Sequence, residues 1–553
     1  MLFHAALPMK CEVVAVLGLL LAGSQGAAET LLFVDGHEVL YRAGTKQVVH
    51  ALEKFKGNPV VTPDNPQRPW EKTIGWVSVY RDPQTGKMQM WYQAYSGKGA
   101  EDKRFKCVVA YAESDDGIAW VKPKLRLFPY ETRGFNLQET NIVLIGAANG
   151  YGDRYANSVV VHPEETDPAK KYKMAYYDWS GGEGAAGVPG LCVAFSPDGI
   201  HWTKQSGVLM NTSFGAKAQQ PPFEDESVYS HIKSSDGREW RQWRYPMSLS
   251  DAVDALWDAR LKRYVIYGKM WIGGPDGGLN WKHGMGRSES EDFLHWSKPQ
   301  LLAYTNEQDP QNLEFHTSPV FIHHGVYFSL NQLYTRENST IDIELMTSRD
   351  GLRWNRSFAR QLVLARGGKK YFDAAFLLTN GNPVVMGDEI WFYYGGNRGI
   401  VRFPNPDEKD MPKRAAEYSS GIGLAKIKRD RLVGIAPDPR TALRNWNPSD
   451  LHRKPEPPAN TIGQVTLKPR DLTGVKRVAI NADASQGVVR LEVLNEDGYR
   501  LRGFTRDEAV PMTTDELAYE ARWADKRITD LPPGRYIIRV HLKQSELFAL
   551  ELE

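Results

Sequence analysis

Acidic residues stand just before several β-like segments of this chain. Glu71 precedes residues 74–76, Asp251 and Asp254 lead into residues 255–257, and Asp373 precedes another apolar stretch. Two carboxyl groups in one site can perform acid–base chemistry, because one donates a proton while the other activates water or attacks as a nucleophile. We therefore predict Asp251, Asp373 and Glu71 as catalytic residues.

Other polar and aromatic residues hold comparable positions and form the predicted substrate-binding set. They are Trp76, Asp153, Asn157, Asp254 and His316. Asn157 stands where a carboxylate is expected. A polar residue at the start of a strand also serves to satisfy loop amides or cap a turn, and that reading stays open for each position.

A repeated hairpin indicates how the chain could bring these residues together. Its pattern is Ser-x-Asp-Gly-x-x-Trp, in which Asp accepts hydrogen bonds from nearby amides and Gly adopts a positive φ. The copies are residues 114–120, 196–202, 290–296 and 348–354. Because the third copy has Phe293 in place of Gly, its turn is predicted to differ.

Each hairpin ends a unit of about four strands, and a fifth unit keeps the strands without the hairpin. Five such units predict an all-β chain, a five-bladed β-propeller followed by a C-terminal β-sandwich. The predicted boundaries are residues 1–28 for a signal peptide, 29–450 for the propeller, 451–460 for a linker and 461–553 for the sandwich. Residues 29 to 70 are expected to cross the propeller and close it. In a propeller the first strands converge on one axis, so the candidate residues can share one funnel.

The composition limits the partners. The 69 Lys and Arg nearly balance 67 Asp and Glu, so neither nucleic acid nor an anionic membrane is indicated. The N-terminus predicts an export signal without a lipid-anchored cysteine, and hence a secreted or periplasmic protein without a membrane span after cleavage. Cys107 and Cys192 are predicted to be buried and unpaired. The oligomeric state stays open.

The hairpins, the strand at residues 391–396 and the segments at 480–484 and 545–550 resemble the five-bladed β-propeller glycoside hydrolases of families 32, 43 and 117. The resemblance is nearest to secreted bacterial family-32-like proteins. It implies cleavage of a glycosidic bond in a poly- or oligosaccharide by axial carboxylates, mostly on the first three blades. It implies no redox cofactor and leaves room for an axial metal ion.

The chain also departs from family 32. The Trp-Met-Asn-Asp-Pro-type segment and the Glu-Cys pair of invertases are absent. Together with Asn157, these departures favour the alternative of a non-catalytic propeller that binds glycans.

Overall fold

The computed structural model describes residues 28–96, 102–132, 134–147, 155–162, 164–179, 189–211, 229–233, 239–243, 249, 251–272, 282–399, 418–439 and 462–553. This part of the chain is all-β, as the sequence predicts. It contains no α-helix and has short 3-10 helices at Lys103–Phe105, Pro168–Lys170 and Ile528–Asp530. Within it, no helix has the length and apolar character needed to cross a membrane.

Four strands precede the first repeated unit: β1 (Glu29–Leu32), β2 (Val39–Ala43), β3 (Thr45–Val49) and β4 (Glu53–Lys54). Sheet 1 follows, with β5 (Thr73–Arg81), β6 (Met88–Tyr95), β7 (Cys107–Ser114) and β10 (Ile142–Leu144), and it is interrupted by the hairpin of β8 (Tyr130–Thr132) and β9 (Phe135–Leu137).

Sheet 2 consists of β11 (Tyr155–Val161), β12 (Tyr172–Trp179), β13 (Pro189–Ser196), β14 (Thr203–Lys204) and β15 (Met210–Asn211). A separate hairpin comes next, formed by β16 (Tyr229–Lys233) and β17 (Glu239–Trp243). Sheet 3 consists of β18 (Val253–Asp258), β19 (Arg263–Ile272), β20 (Lys282–Ser290) and β21 (Gln300–Ala303).

Sheet 4 consists of β22 (Leu313–Phe315), β23 (Val320–His323), β24 (Val326–Thr335), β25 (Thr340–Ser348) and β26 (Leu362–Leu364). Sheet 5 consists of β27 (Phe376–Leu378), β28 (Val384–Met386), β29 (Glu389–Asn397) and β30 (Ser420–Lys428), and the early strand β4 pairs with β30 at its outer edge.

The last strands form two further sheets with the N-terminal ones. They are β31 (Val433–Pro437), β32 (Ile462–Leu467), β33 (Arg470–Asp471), β34 (Val478–Asp483), β35 (Val488–Asn495), β36 (Asp515–Glu520), β37 (Arg535–Lys543) and β38 (Glu546–Leu552). In sheet 6, β1 and β3 join β31, β34, β36 and β38; in sheet 7, β2 joins β32, β33, β35 and β37. Both sheets bury side chains in one shared core that includes Leu31, Ile480 and Val540.

The repeated hairpins lie between neighbouring sheets. The indole Nε1 of Trp91 in sheet 1 donates a hydrogen bond of 2.6 Å to the carbonyl of Gly199, in the hairpin of sheet 2. The hairpin of sheet 4 accepts a hydrogen bond from Tyr267 of sheet 3, and the hairpin of sheet 1 accepts one from Tyr393 of sheet 5. Sheet 1 therefore contacts both sheet 2 and the distant sheet 5.

The Asp residues of all four hairpins form the turns, as the sequence predicts. Asp116 Oδ1, for example, accepts from the backbone amides of Ile118 and Ala119 at 2.8 Å each. The prediction that the third turn differs is wrong, because Phe293 has φ 67°, close to the 71° of Gly351. Phe293 is fully buried against Tyr264, and this packing holds a bulky residue in a conformation that usually requires glycine.

The two cysteines behave as predicted. Cys107 in β7 and Cys192 in β13 are buried and are not joined in a disulfide.

Candidate functional site

A polar network joins the first strands of three sheets. The Asp254 carboxylate accepts hydrogen bonds from Ser158 Oγ, Asn380 Nδ2 and the Gly381 amide, each at 2.9 Å. Burial raises the pKa of Asp254 to about 7, although the bonds from Ser158 and Gly381 act in the opposite direction. The predicted substrate-binding residue Asp254 is thus held by protein donors from sheets 2 and 5.

Asn157 belongs to the same network. The side-chain amide of Asn157 donates to the backbone carbonyl of Trp91 at 3.2 Å, and the backbone carbonyl of Asn157 accepts from Ser78 Oγ at 3.0 Å. Ser78 Oγ in turn accepts from Asn380 Nδ2 at 3.1 Å. Asn157 therefore joins sheet 2 to sheet 1, and it is buried.

Two cavities are lined by residues from opposite ends of these strands. In sheet 3, Asp251 and Ala252 line the first cavity and Leu256 and Trp257 line the second, and Asp254 lies between the two pairs in sequence. Along the first strands of sheets 1, 4 and 5 as well, residues that line the first cavity precede those that line the second. The first, of about 340 Å³, is called the Trp76 cavity here. The second, of about 490 Å³, has a largely apolar lining.

The Trp76 cavity brings several polar and aromatic side chains together. Its polar and aromatic lining consists of Trp76, Asp251, Lys269, His283, His316, Tyr334 and Phe376. The structure therefore brings together three predicted site residues, Trp76, Asp251 and His316, from sheets 1, 3 and 4.

A β-bulge presents Trp76. The register between β5 and β6 shifts between Gly75 and Val77, and Trp76 has φ 40°, in the left-handed region. Bulges of this kind redirect a side chain and are common beside active sites. The half-exposed indole lies over the His316 imidazole, with ring centroids 5.7 Å apart and planes inclined by 24°. An aromatic face in this setting can stack on the apolar face of a sugar ring.

Asp251 forms a close ion pair in the cavity. Its Oδ1 lies 2.5 Å from Lys269 Nζ, and the two side chains are 16% and 7% exposed. Burial alone would raise the pKa of Asp251, but the charge and hydrogen bond of Lys269 lower it to about 2. Asp251 is therefore an ionised carboxylate near neutral pH.

His316 is neutral and has a defined orientation. Its Nδ1 lies 3.0 Å from Gln332 Oε1, while Gln332 Nε2 donates to Thr379. Because Gln332 presents its carbonyl oxygen, we assign the proton to Nδ1, which makes Nε2 an acceptor. Burial and the charge of Lys269 lower the pKa of His316 to about 3.

His283 is oriented by an ion pair behind it. Its Nδ1 lies 2.9 Å from Glu314 Oε2, and Arg336 binds both oxygens of Glu314 at 2.8 and 2.9 Å. Burial and the charge of Lys269 lower the pKa of His283 to about 4. The imidazole is therefore neutral, and its buried Nε2 has no hydrogen-bond partner among the described residues.

Glu71 lies outside this cavity. It is fully buried, and its carboxylate takes a hydrogen bond from Tyr92 and an ion pair from Lys122, both at 2.6 Å. It is not among the residues that line the Trp76 cavity.

Asp373 has an equivalent environment. It is fully buried, its Oδ2 lies 2.5 Å from Lys54 Nζ and 3.0 Å from the Tyr394 hydroxyl, and it too is absent from the cavity lining. Each of these two acids therefore has one tyrosine and one lysine as partners. The remaining predicted residue, Asp153, lies outside the described residues.

Three polar residues of the lining were not predicted from the sequence: Lys269, His283 and Tyr334. Lys269 had a usable signal, because it is the single charge within the aromatic run of β19 at residues 264–272. In the described part of the chain, the one group of His and carboxylate atoms spaced for a metal ion does not line this cavity.

No family model matches the chain, and no curated protein matches it. Similar solved structures do exist, and glycoside hydrolases are among them. The complex of BT0996 with RGII has a TM-score of 0.43 and 15% identity, covering 69% of this chain and 92% of that one. The Bombyx mori GH32 β-fructofuranosidase BmSUC1 has a TM-score of 0.36 and 12% identity, covering 92% and 93%.

A structure from the GH130 family, described as containing hydrolases that target β-1,2 mannosidic linkages in Candida mannan, has a TM-score of 0.38 and 16% identity, covering 68% and 94%. At these scores the likenesses carry no argument about the activity or substrate of this chain.

Proposed function

We propose that this chain binds a glycan in the Trp76 cavity and cleaves a glycosidic bond there, as a glycoside hydrolase with Asp251 as the reacting carboxylate. One observation carries the proposal. Asp251 is a partly buried, ionised carboxylate, held by Lys269, in a cavity that also presents the Trp76 indole.

The wider architecture proposed is a five-bladed β-propeller over residues 29–450 and a β-sandwich over residues 461–553. Support for the propeller comes from five similar sheets, of which sheet 1 contacts sheet 5 through Tyr393. Support for the sandwich comes from the core that sheets 6 and 7 share. We further propose that the protein is secreted or periplasmic, because the sequence of residues 1–28 has the features of a signal peptide.

The lining residues suit distinct roles in this proposal. The Trp76 ring stacks on a sugar, and His316 Nε2 accepts a hydrogen bond from a sugar hydroxyl. Asp251 either takes a proton from water, whose oxygen bonds to the anomeric carbon, or attacks that carbon itself to form a glycosyl ester that water then hydrolyses. In both cases the glycosidic C–O bond breaks and the leaving oxygen takes a proton from solvent. A carboxylate with a pKa of about 2 is a base or nucleophile and not a proton donor. Asn157 and Asp254 hold the strands that form the cavity.

Glu71 and Asp373 have structural roles in this proposal, because each is buried with a lysine and a tyrosine away from the cavity lining. Asp153 keeps its proposed role in substrate binding on sequence grounds alone.

Glycan binding without turnover is the second candidate function. Hydrolysis requires a proton donor as well as a base. Among the described residues of the lining, Asp251 is the one carboxyl group, and the lowered pKa values leave His283 and His316 unprotonated near neutral pH.

The test compares the wild type with Asp251→Asn and Trp76→Ala on a panel of plant and algal polysaccharides. Release of reducing ends and calorimetric binding are both measured. Asp388→Asn is the matched control, since Asp388 is exposed outside the cavity. We expect release to fall about 100-fold in Asp251→Asn with binding retained, and binding to weaken about tenfold in Trp76→Ala. Binding without release by the wild type would favour the second candidate, and neither binding nor release on any glycan would refute both.

A further inference from the structure

We infer that His323, His324 and Asp430 form a binding site for a divalent transition-metal ion, separate from the Trp76 cavity. His323 is the last residue of β23 in sheet 4, and His324 lies in the turn to β24. Asp430 lies in the turn between β30 and β31, where the chain passes from sheet 5 to sheet 6.

The three side chains converge on one point. His323 Nε2 lies 2.5 Å and His324 Nε2 lies 3.2 Å from the same oxygen, Asp430 Oδ1. One potential ligand atom from each residue lies within 4.8 Å of the others. Ligand atoms that each lie about 2.0–2.1 Å from a zinc ion are roughly 3 Å apart, so small side-chain rotations would admit the ion.

The Asp430 carboxylate can accept more bonds than the described residues donate to it. Its side chain is 1% exposed, and Oδ2 has no hydrogen-bond partner among the described residues. The nearest cation to this oxygen is Arg429, whose Nε is 3.8 Å away. A buried carboxylate oxygen without a partner is costly, and an ion held by Asp430 would compensate it.

The surroundings fix the site while leaving it accessible. His324 and Asp430 have φ angles of 46° and 68°, so both turns are held in the left-handed region. Arg431, next to Asp430, is bound to Asn481 and Asp515 of sheet 6 at 2.8 and 2.6 Å. The His324 side chain is 32% exposed, which gives an ion a path from solvent.

The ligand set identifies the class of ion. Imidazole nitrogen with carboxylate oxygen suits zinc, copper, nickel or iron, whereas calcium and magnesium prefer ligands that are all oxygen. With three protein ligands, a tetrahedral zinc ion would keep one position for water. Such an ion would link sheet 4 to the turn between sheets 5 and 6, and it would stabilise the folded state.

The experiment titrates EDTA-treated full-length protein with ZnCl₂ by calorimetry and follows Tm with and without the metal. The test variants are His324→Asn and Asp430→Asn, because Asn tolerates the left-handed region at both positions. The matched control is His295→Ala. His295 also pairs with a carboxylate, Asp292, at 2.6 Å, but the described residues place no second histidine there.

We expect the wild type and His295→Ala to bind one zinc ion and to melt at a higher temperature with the metal. Each test variant should bind at least about tenfold more weakly while retaining the metal-free Tm to within a few degrees. Absence of zinc binding by the wild type would overturn the inference. Equal binding by His324→Asn would also overturn it, because the ion would then be held elsewhere.

Discussion

The fully buried carboxylates Glu71 and Asp373 and the partly buried Asp251 each have a lysine as ion-pair partner. Only Asp251 lines the Trp76 cavity. The three ion pairs differ in their other neighbours: Glu71 and Asp373 each have a tyrosine hydroxyl, whereas Asp251 lies in a cavity with aromatic side chains. In the proposed function, this difference separates the two structural acids from the reacting one.

Replacing the cation beside Asp251 should change the pH dependence of the site. In the wild type the pKa of about 2 keeps Asp251 ionised, so binding and any turnover should differ little between pH 7 and pH 4.5. In Lys269→Met the lysine charge no longer opposes the effect of burial, so the pKa of Asp251 rises. The ratio of activity at pH 4.5 to that at pH 7 should then fall several-fold.

Lys173→Met is the control for this experiment, because Lys173 is a buried lysine paired with Glu165 at 2.8 Å outside the cavity. A Lys269→Met profile identical to that of the control would show that Lys269 does not set the ionisation of Asp251.

Removing the partner of Asp373 tests its structural role. Lys54→Met should destabilise the fold by about 3–5 kcal/mol, since it leaves a fully buried carboxylate without its cation. The double variant Lys54→Met with Asp373→Asn should recover part of the lost free energy of unfolding, as measured by urea unfolding. Turnover or glycan binding per folded molecule should stay within twofold of the wild type. Lys122→Met with Glu71→Gln forms the equivalent pair in sheet 1.

One result would contradict the structural role of Asp373. If Asp373→Asn abolished turnover with unchanged stability, Asp373 would be a reacting group, as the sequence analysis predicts.

At the scale of elements, two opposing contributions to stability meet in the third hairpin. Packing of the Phe293 ring stabilises the fold, whereas the left-handed backbone conformation of Phe293 destabilises it. Phe293→Gly would relieve a left-handed conformation, which costs about 1–2 kcal/mol. It would also remove a fully buried ring that contacts Phe195, Tyr264 and Trp296, a loss of about 3–5 kcal/mol. We expect net destabilisation by about 2 kcal/mol or more in urea unfolding.

His295→Ala is the comparison within the same hairpin. Its side chain is 89% exposed, so we expect a change below about 0.5 kcal/mol. A Phe293→Gly protein more stable than the wild type would mean that strain outweighs packing at this turn.

Strands and turns were the part of the fold most open to prediction. The aromatic segments at residues 88–92, 172–177 and 326–330 all lie within strands, because aromatic and β-branched side chains favour strands. The conformation of Phe293 was not predictable in this way. It depends on partners from β13 and β19, which lie far from it in sequence.

At the scale of the whole molecule, Asp254 connects sheet 3 to sheets 2 and 5. Asp254→Ala would leave Ser158, Asn380 and the Gly381 amide without their acceptor. Each buried group without a partner costs about 1–3 kcal/mol, so we expect destabilisation by roughly 3 kcal/mol or more. Asp254→Asn should lose less, since it keeps one acceptor oxygen. If instead Asp254→Ala folded with wild-type stability and lost glycan binding, Asp254 would contact the ligand.

The candidate site could be predicted only in part, for a reason at this same scale. Sequence position placed Trp76, Asp251 and His316 among the candidates, and all three line the Trp76 cavity. It did not distinguish them from Glu71 and Asp373, whose lysine partners are 51 and 319 residues away in sequence. Lys269 and His283 enter the cavity from β19 and β20, and their placement depends on register between strands.

The pairing of β1 with β38, in which Glu29 lies opposite Leu552, has a consequence for biogenesis. A ribosome makes β1 about 500 residues before β38, so sheet 6 cannot be completed until residue 552 has emerged. Until then the apolar side chains of β1, such as Leu31, lack their final neighbours. Nascent molecules would therefore depend on chaperones to shield this edge, and premature termination would leave it open to aggregation.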